Sequence, residues 1–317
     1  QASKAAGSAR RRSGAPRSDA QPLALVSMRP WAQGASASFT LFWMSLWHEV
    51  AAAYGDDIVA SDARSINSGR LLSSNCDVAV YGGTPSNKNY GAWTICPSDL
   101  EAGSTTNIFS VGIGGDITFD MSIVRRHRKA HVWCFDPTIS KQQFDQLLNK
   151  QNASAEERER ISFFPFGLGA RDDVMPMYKS ENPKIGSLSA TPGLPGYRPA
   201  PYLNAPLLQV HTLAWIATRQ PHQVDLLKVD VEGAEFDVFS PQNAAIRRWL
   251  YSAQVSQVLI EFHDRFIRRR TRTEVSGRAA VTTVLRNCGF LKRHISASKE
   301  EVLFVRIARP TPQCVND

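Results

Sequence analysis

From residue 108 onward, short runs of β-branched and aromatic residues alternate with helical stretches. Strand-like runs over 108–111, 131–135, 161–166, 224–229 and 255–262 are separated by helical patterns over 118–127, 140–150, 235–250 and 275–287. Alternation at this spacing calls for βαβ units and therefore for a parallel, doubly wound α/β sheet. Two final runs, 290–295 and 302–307, are joined by the short polar link 296–301, which is too short for a crossover helix. They are expected to form an antiparallel hairpin at the end of an otherwise parallel sheet. Residues 167–210 break the rhythm with six prolines and three glycines between Pro183 and Pro206. They read as a long loop beside the carboxyl ends of strands, a lid over a substrate.

A net charge of +8 over 317 residues invites a nucleic-acid reading, so its placement matters. Residues 1–36 hold six basic groups against Asp19, and 265–278 hold six arginines against Glu274, each segment at +5. The remainder is at −2, so the body of the fold is near neutral and no nucleic-acid partner is expected. The arginine run also lacks the aromatic interleaving of single-strand grooves. The expected organisation is a disordered basic tail over 1–36, an N-terminal helical cap over 37–104, the α/β domain over 105–309 and a short tail over 310–317. Within the cap, Phe39, Phe42, Trp43, Leu46, Trp47, Val50 and Tyr54 follow helical spacing. The stretch 37–54 is an amphipathic helix that docks on a core or lies on a membrane surface. The five cysteines show no CxxC pair and no Cys/His cluster, so neither a zinc site nor a disulfide framework is evident. One bridge, Cys76 to Cys96, fits a secretory chain, and localisation stays open between secretory, membrane-associated and cytoplasmic.

Three motifs carry chemistry. Ile108 to Asp116 runs from a strand straight into Gly112, Gly114 and Gly115 before a helix, so backbone and helix N-terminus can approach a ligand closely. A dinucleotide fingerprint would need glycine where Ile117 stands, so a nicotinamide or flavin site fits worse. The second motif is the strand ending in Asp136, 24 residues after Gly112. Its carboxylate can take both hydroxyls of a ribose, or cap the helix beyond Pro137. The third, Val224 to Glu235, delivers Asp230, Glu232 and Glu235 with Gly233 at a strand end. Glu235 and Glu232 suit the first turn of the next helix, but Asp230 at the strand terminus needs another reason.

The stretch LLKVDVEGAEFDV, preceded by VGIGGDITFD and CFDPT and followed by LIEFHD, resembles the FkbM-type methyltransferases. With Tyr90-Gly91-Ala92-Trp93 ahead, it is similar to their methyltransferase-like protein 24 group; 108–308 is covered and 76–104 more loosely. The resemblance implies a class I, Rossmann-like methyltransferase fold and S-adenosylmethionine as cofactor. It implies that Gly112, Gly114 and Asp116 line the methionine end, that Asp136 binds the ribose, and that Asp230 and Glu232 lie close to the sulfonium and the acceptor. Phe119 and Asp120 match the family's FD pair, whose role the sequence does not give. If strands 225–230 and 255–262 are neighbours, Glu261 to Asp264 open into the same crevice, and His263 has the ordinary titration range of a general base. The acceptor is expected to be a hydroxyl of a small molecule, glycan or lipid-linked compound. No metal is assigned on this reading. Two alternatives remain: a carboxylate-metal hydrolase built on Asp136, Asp230, Glu232 and His263, and a catalytically silent binding module on the same fold.

Overall fold

The computed structural model describes residues 76–83, 91–101, 106–176, 178–180, 188–189, 197–199, 208–217, 223–252, 255–264 and 277–316. The basic tail, the amphipathic stretch over 37–54 and the arginines from Arg265 to Arg272 lie outside the described residues. No helix among the described residues is long and apolar enough to cross a membrane.

The described chain opens with an antiparallel pair, β1 (Ala79–Tyr81) and β2 (Trp93–Ile95), followed by the short α1 (Ser98–Glu101). It continues through β3 (Thr106–Val111), α2 (Thr118–Arg126), β4 (Ala130–Phe135), α3 (Lys141–Lys150), α4 (Ala155–Glu159) and β5 (Ile161–Phe164). An insertion follows with β6 (Gly167–Leu168), β7 (Asp173–Met175), β8 (Tyr178–Ser180), β9 (Leu188–Ser189), β10 (Tyr197–Pro199) and β11 (Leu208–His211). The last part holds α5 (Leu213–Ala217), β12 (Leu226–Val229), α6 (Glu235–Val238), α7 (Ala244–Ser252), β13 (Gln257–Glu261), α8 (Gly277–Asn287), β14 (Phe290–Ile295), β15 (Glu301–Arg306) and α9 (Gln313–Asn316).

Seven of these strands form one sheet in the order β14-β15-β13-β12-β3-β4-β5. The five from β13 to β5 are parallel, and β15 inserts antiparallel between β13 and β14. This is the class I methyltransferase arrangement, with the terminal hairpin where the short 296–301 link required it. Successive side chains of a strand face opposite ways, and the strand cores are apolar on both sides because both sides are covered. Phe109, Val111, Leu227, Val229 and Ile260 enter one buried cluster with α5, α7 and α8. Ile108, Leu226 and Leu259 enter the other, with Phe119 and Ile123 of α2 and Phe144 and Leu148 of α3.

Four expectations change. The described part of the cap expected over 37–104 holds an antiparallel strand pair as well as the short α1: Tyr81, Trp93 and Ile95 of β1 and β2 pack into the same cluster as α2. The proline-rich stretch over 167–210 is not one long loop, since its described parts build two three-stranded sheets, β6-β11-β7 and β10-β8-β9. The helix expected over 235–250 is two helices, because Pro241 has no N–H to continue the first and the Asn243 side chain caps the second at Ala245 and Ile246. Helix α4 was not anticipated, although Ser154 and Glu157 form a capping box legible in the sequence.

Four of the five cysteines are bridged, as Cys76–Cys96 and Cys288–Cys314, and Cys134 is buried and free. The second bridge, which spacing did not reveal, fixes α9 against the end of α8, where both sulfurs are buried in the core. Replacing Cys288 and Cys314 together by alanine is expected to lower unfolding free energy by about 3 kcal/mol. Urea unfolding followed by circular dichroism measures the loss, and a reducing agent should shift the wild type in the same direction.

Candidate active site

The site grows from the end of β3. Gly112 follows it at φ +74°, and a Cβ there would stand 1.6 Å from the Asp230 carbonyl oxygen. Only glycine permits both this left-handed backbone and this closeness. Gly112 N–H donates to the Phe135 carbonyl at 2.9 Å, and Asp230 N–H donates to the Val111 carbonyl at 3.0 Å. The ends of β4, β3 and β12 are thereby tied side by side. Strand order reverses between β3 and β12, and in doubly wound sheets ligands sit outside the carboxyl ends at that switch. Lys228, buried in β12, donates from Nζ to the Gly112 carbonyl at 2.9 Å and lies 4.8 Å from the Trp93 ring centre. Sequence reasoning passed over Lys228, although a lysine inside an apolar strand is itself a signal.

Beyond Gly112 the main chain is open. Gly114 has φ +52°, and nothing lies within 4 Å of where its Cβ would be. Its N–H donates to Asp136 Oδ2 at 2.7 Å, while Thr138 donates to Asp136 Oδ1 through its N–H at 2.7 Å and its hydroxyl at 2.5 Å. Asp136 thus shapes the glycine turn and caps the segment after β4 at the same time. Oδ1 thus accepts twice, and Oδ2 keeps one lone pair beyond its bond from Gly114. Asp116 accepts from Thr118 N–H at 2.8 Å and stands against Gly91, where a Cβ would meet its Oδ2 at 2.1 Å. The Gly91 motif ahead of the domain is therefore a wall of this turn.

A second group lies on the other side of Gly112, where β12 and β13 run parallel with Val229 beside Ile260. His263 is fully buried. Its Nε2 is 3.7 Å from Asp230, 3.5 Å from Glu232 and 3.6 Å from Glu261. Its backbone N–H donates to Glu235 Oε1 at 2.8 Å, and Nδ1 faces the same oxygen at 3.2 Å. Glu235 Oε2 accepts from Gly233 N–H at 2.8 Å. Glu235 opens α6, where a first-turn acid was expected, and there it is wholly buried and fixes the imidazole. Glu232 lies outside the helix, at φ +50°. Burial alone would lower the His263 pKa, but the Glu235 hydrogen bond and the charges of Glu235, Glu232 and Asp230 outweigh it and raise it to about 9. Burial and the Asp230 charge push Glu261 up to about 8, against the pull of His263. A general base works best with a pKa near the operating pH, and the surrounding carboxylates lift His263 above that range.

Asp120, whose role the sequence left open, is buried on the opposite face of the sheet, where burial raises its pKa against the pull of Lys228. Its carboxyl is a counter-group to the lysine that holds the glycine turn. Of the residues expected at the site, Gly112, Gly114, Asp116 and Asp136 gather on one side of the switch and Asp230, Glu232 and His263 on the other. The four-residue set required for the hydrolase alternative does not form, because Asp136 is bonded to Gly114 and Thr138 and stands apart from the histidine cluster.

The family model for the methyltransferase FkbM domain matches residues 105–292. Among solved structures, a methyltransferase FkbM from Methylobacillus flagellatus KT is similar at 14% identity and a TM-score of 0.39, over 64% of this chain and 44% of its own. An O-methyltransferase family protein from Burkholderia thailandensis is similar at 12% identity and a TM-score of 0.35, over 68% of this chain and 55% of its own. The chain spans about half the length of these two structures. No curated protein matches.

Two alanine substitutions separate the close approach from the open turn. Gly112→Ala is expected to cost about 3 kcal/mol or more, because backbone must move. Gly114→Ala should cost only the left-handed strain, about 1 kcal/mol. Chemical unfolding of both variants against the wild type measures the difference.

Proposed function

The chain belongs to the FkbM methyltransferase family, and from that premise we propose that it transfers a methyl group from S-adenosylmethionine to an oxygen of a small-molecule, glycan or lipid-linked acceptor. The observation that carries this reading is the glycine turn packed against the end of β12 at the strand-order reversal, with Asp136 beside it. When bound, the cofactor would supply an electrophilic methyl on a cationic sulfonium.

The donor set suits such a group. Open space above Gly114 admits the methionine portion against the backbone. The remaining lone pair of Asp136 Oδ2 accepts from a ribose hydroxyl. Asp230 and Glu232, about a quarter exposed, present negative charge to the sulfonium. Glu232, on a left-handed loop residue at the crevice mouth, takes the proton from the acceptor oxygen. His263 keeps these carboxylates together and does not itself exchange a proton at neutral pH. In-line transfer needs acceptor and methyl held in contact, so enclosure by the insertion over 167–211 would contribute through positioning. The two disulfides favour a chain that matures in an oxidising compartment, where glycan and lipid-linked acceptors are met.

S-adenosylhomocysteine is expected to bind saturably in calorimetry. Gly112→Arg should abolish binding, and Asp136→Ala should weaken it by about ten-fold or more. Absence of binding to the wild type would reject the reading. Glu232→Gln should keep S-adenosylhomocysteine affinity but lower labelled methyl transfer to native extract by about a hundred-fold.

A further inference from the structure

Strand β12 is apolar apart from one residue. Leu226, Leu227 and Val229 are wholly buried, and Lys228 among them is 4% exposed. A buried ammonium costs free energy that a leucine in its place would not, so lysine serves something other than packing here. In the parallel register Lys228 lies beside Ser110, two residues before Gly112. From that position its Nζ donates to the Gly112 carbonyl at 2.9 Å. The strand ends are tied without this bond, since Gly112 N–H donates to Phe135 and Asp230 N–H donates to Val111.

What the bond fixes is the peptide between Gly112 and Ile113. Glycine at φ +74°, with Gly114 at φ +52° just beyond, leaves this peptide free to turn over. The described peptide bonds are all trans, so the Gly112 carbonyl and the Ile113 N–H point in opposite directions. With the carbonyl drawn to the buried ammonium, the Ile113 N–H is directed away from it. Among the described residues no acceptor takes that N–H, whereas the N–H groups of Gly112 and Gly114 go to Phe135 and Asp136. We infer that Lys228 is a positioning residue for the cofactor, holding the Gly112–Ile113 peptide so that its N–H is presented to an acceptor atom of the bound molecule.

The ammonium is itself held from two further elements. Asp120 of α2 attracts it as a buried carboxyl, and the Trp93 ring of β2 lies 4.8 Å away, within cation–π reach. Trp93 precedes the stretch 105–292 matched by the family model, so the β1–β2 pair takes part in shaping the turn through this lysine. The role rests on the methyl-transfer reading, because it requires a cofactor at the turn.

The test combines S-adenosylhomocysteine calorimetry on the full chain with amide spectra of protein isotopically labelled at isoleucine nitrogen, the Ile113 signal being assigned through Ile113→Val. In the wild type, saturating S-adenosylhomocysteine should move the Ile113 amide proton downfield, as a newly formed hydrogen bond does. Lys228→Met keeps an unbranched side chain without the charge. It should bind about ten-fold more weakly or worse and lose that shift at saturation. Leu148→Ala on α3, in the buried cluster on the same side of the sheet, should lower the urea midpoint but keep both affinity and shift. Lys228→Met that binds as the wild type does would overturn the role. So would a weakened variant whose Ile113 shift persists, since a merely structural lysine gives that result. If Lys228→Met does not fold, the wild-type spectrum decides: an Ile113 amide unmoved by saturating ligand overturns the role, and a downfield shift supports it. Absence of binding to the wild type rejects the methyl-transfer reading, and with it any cofactor for Lys228 to position.

Discussion

Everything at the site depends on how closely two backbones meet. The Cα of Gly112 rests against the Asp230 carbonyl, at the one place in the sheet where strand order reverses. A side chain there would push β3 and β12 apart, and with them the glycine turn on one side and the carboxylate–histidine group on the other. Lys228 reinforces the contact, its ammonium on the Gly112 carbonyl and 4.8 Å from the Trp93 ring centre. A buried lysine is costly unless its charge is answered, and Asp120 from α2 stands as the counter-group. The turn is thus held by one steric constraint and one buried charge arrangement, each from a different element.

The architecture was largely legible because it rests on periodicity. Alternating strand and helix patterns, and a link too short for a crossover, specify a mostly parallel sheet with a terminal hairpin. What escaped was local or long-range. Pro241 breaks a helix whose apolar pattern continues through it. The insertion over 167–211 builds strands of two to four residues, too short to carry a pattern. Cys288 pairs with Cys314 because β14 and β15 return the chain to α8, which no spacing rule contains.

The site was legible in its residue types and less so in their roles. Glycines at the turn and acids at strand ends were found because chemistry there needs those types. Asp136 proved to have structural partners alongside any ligand role. Roles depend on neighbours that spacing does not show: the carboxylate at the start of α6 is also the buried anchor of an imidazole, and the carboxylates around that imidazole raise its pKa. The net charge of +8 also says little about this region, where five acids, Asp136, Asp230, Glu232, Glu235 and Glu261, stand around the switch point. Such a crevice suits a cationic group.

The central claim is that a nucleoside cofactor lies across the ends of β3, β4 and β12. Hydrogen–deuterium exchange of the full chain with and without S-adenosylhomocysteine tests this most directly. The account predicts slowed exchange over 111–117 and 134–138, with the turn over 296–300 unchanged. Saturating ligand that leaves 111–117 and 134–138 unprotected, or protects only other segments, would contradict it.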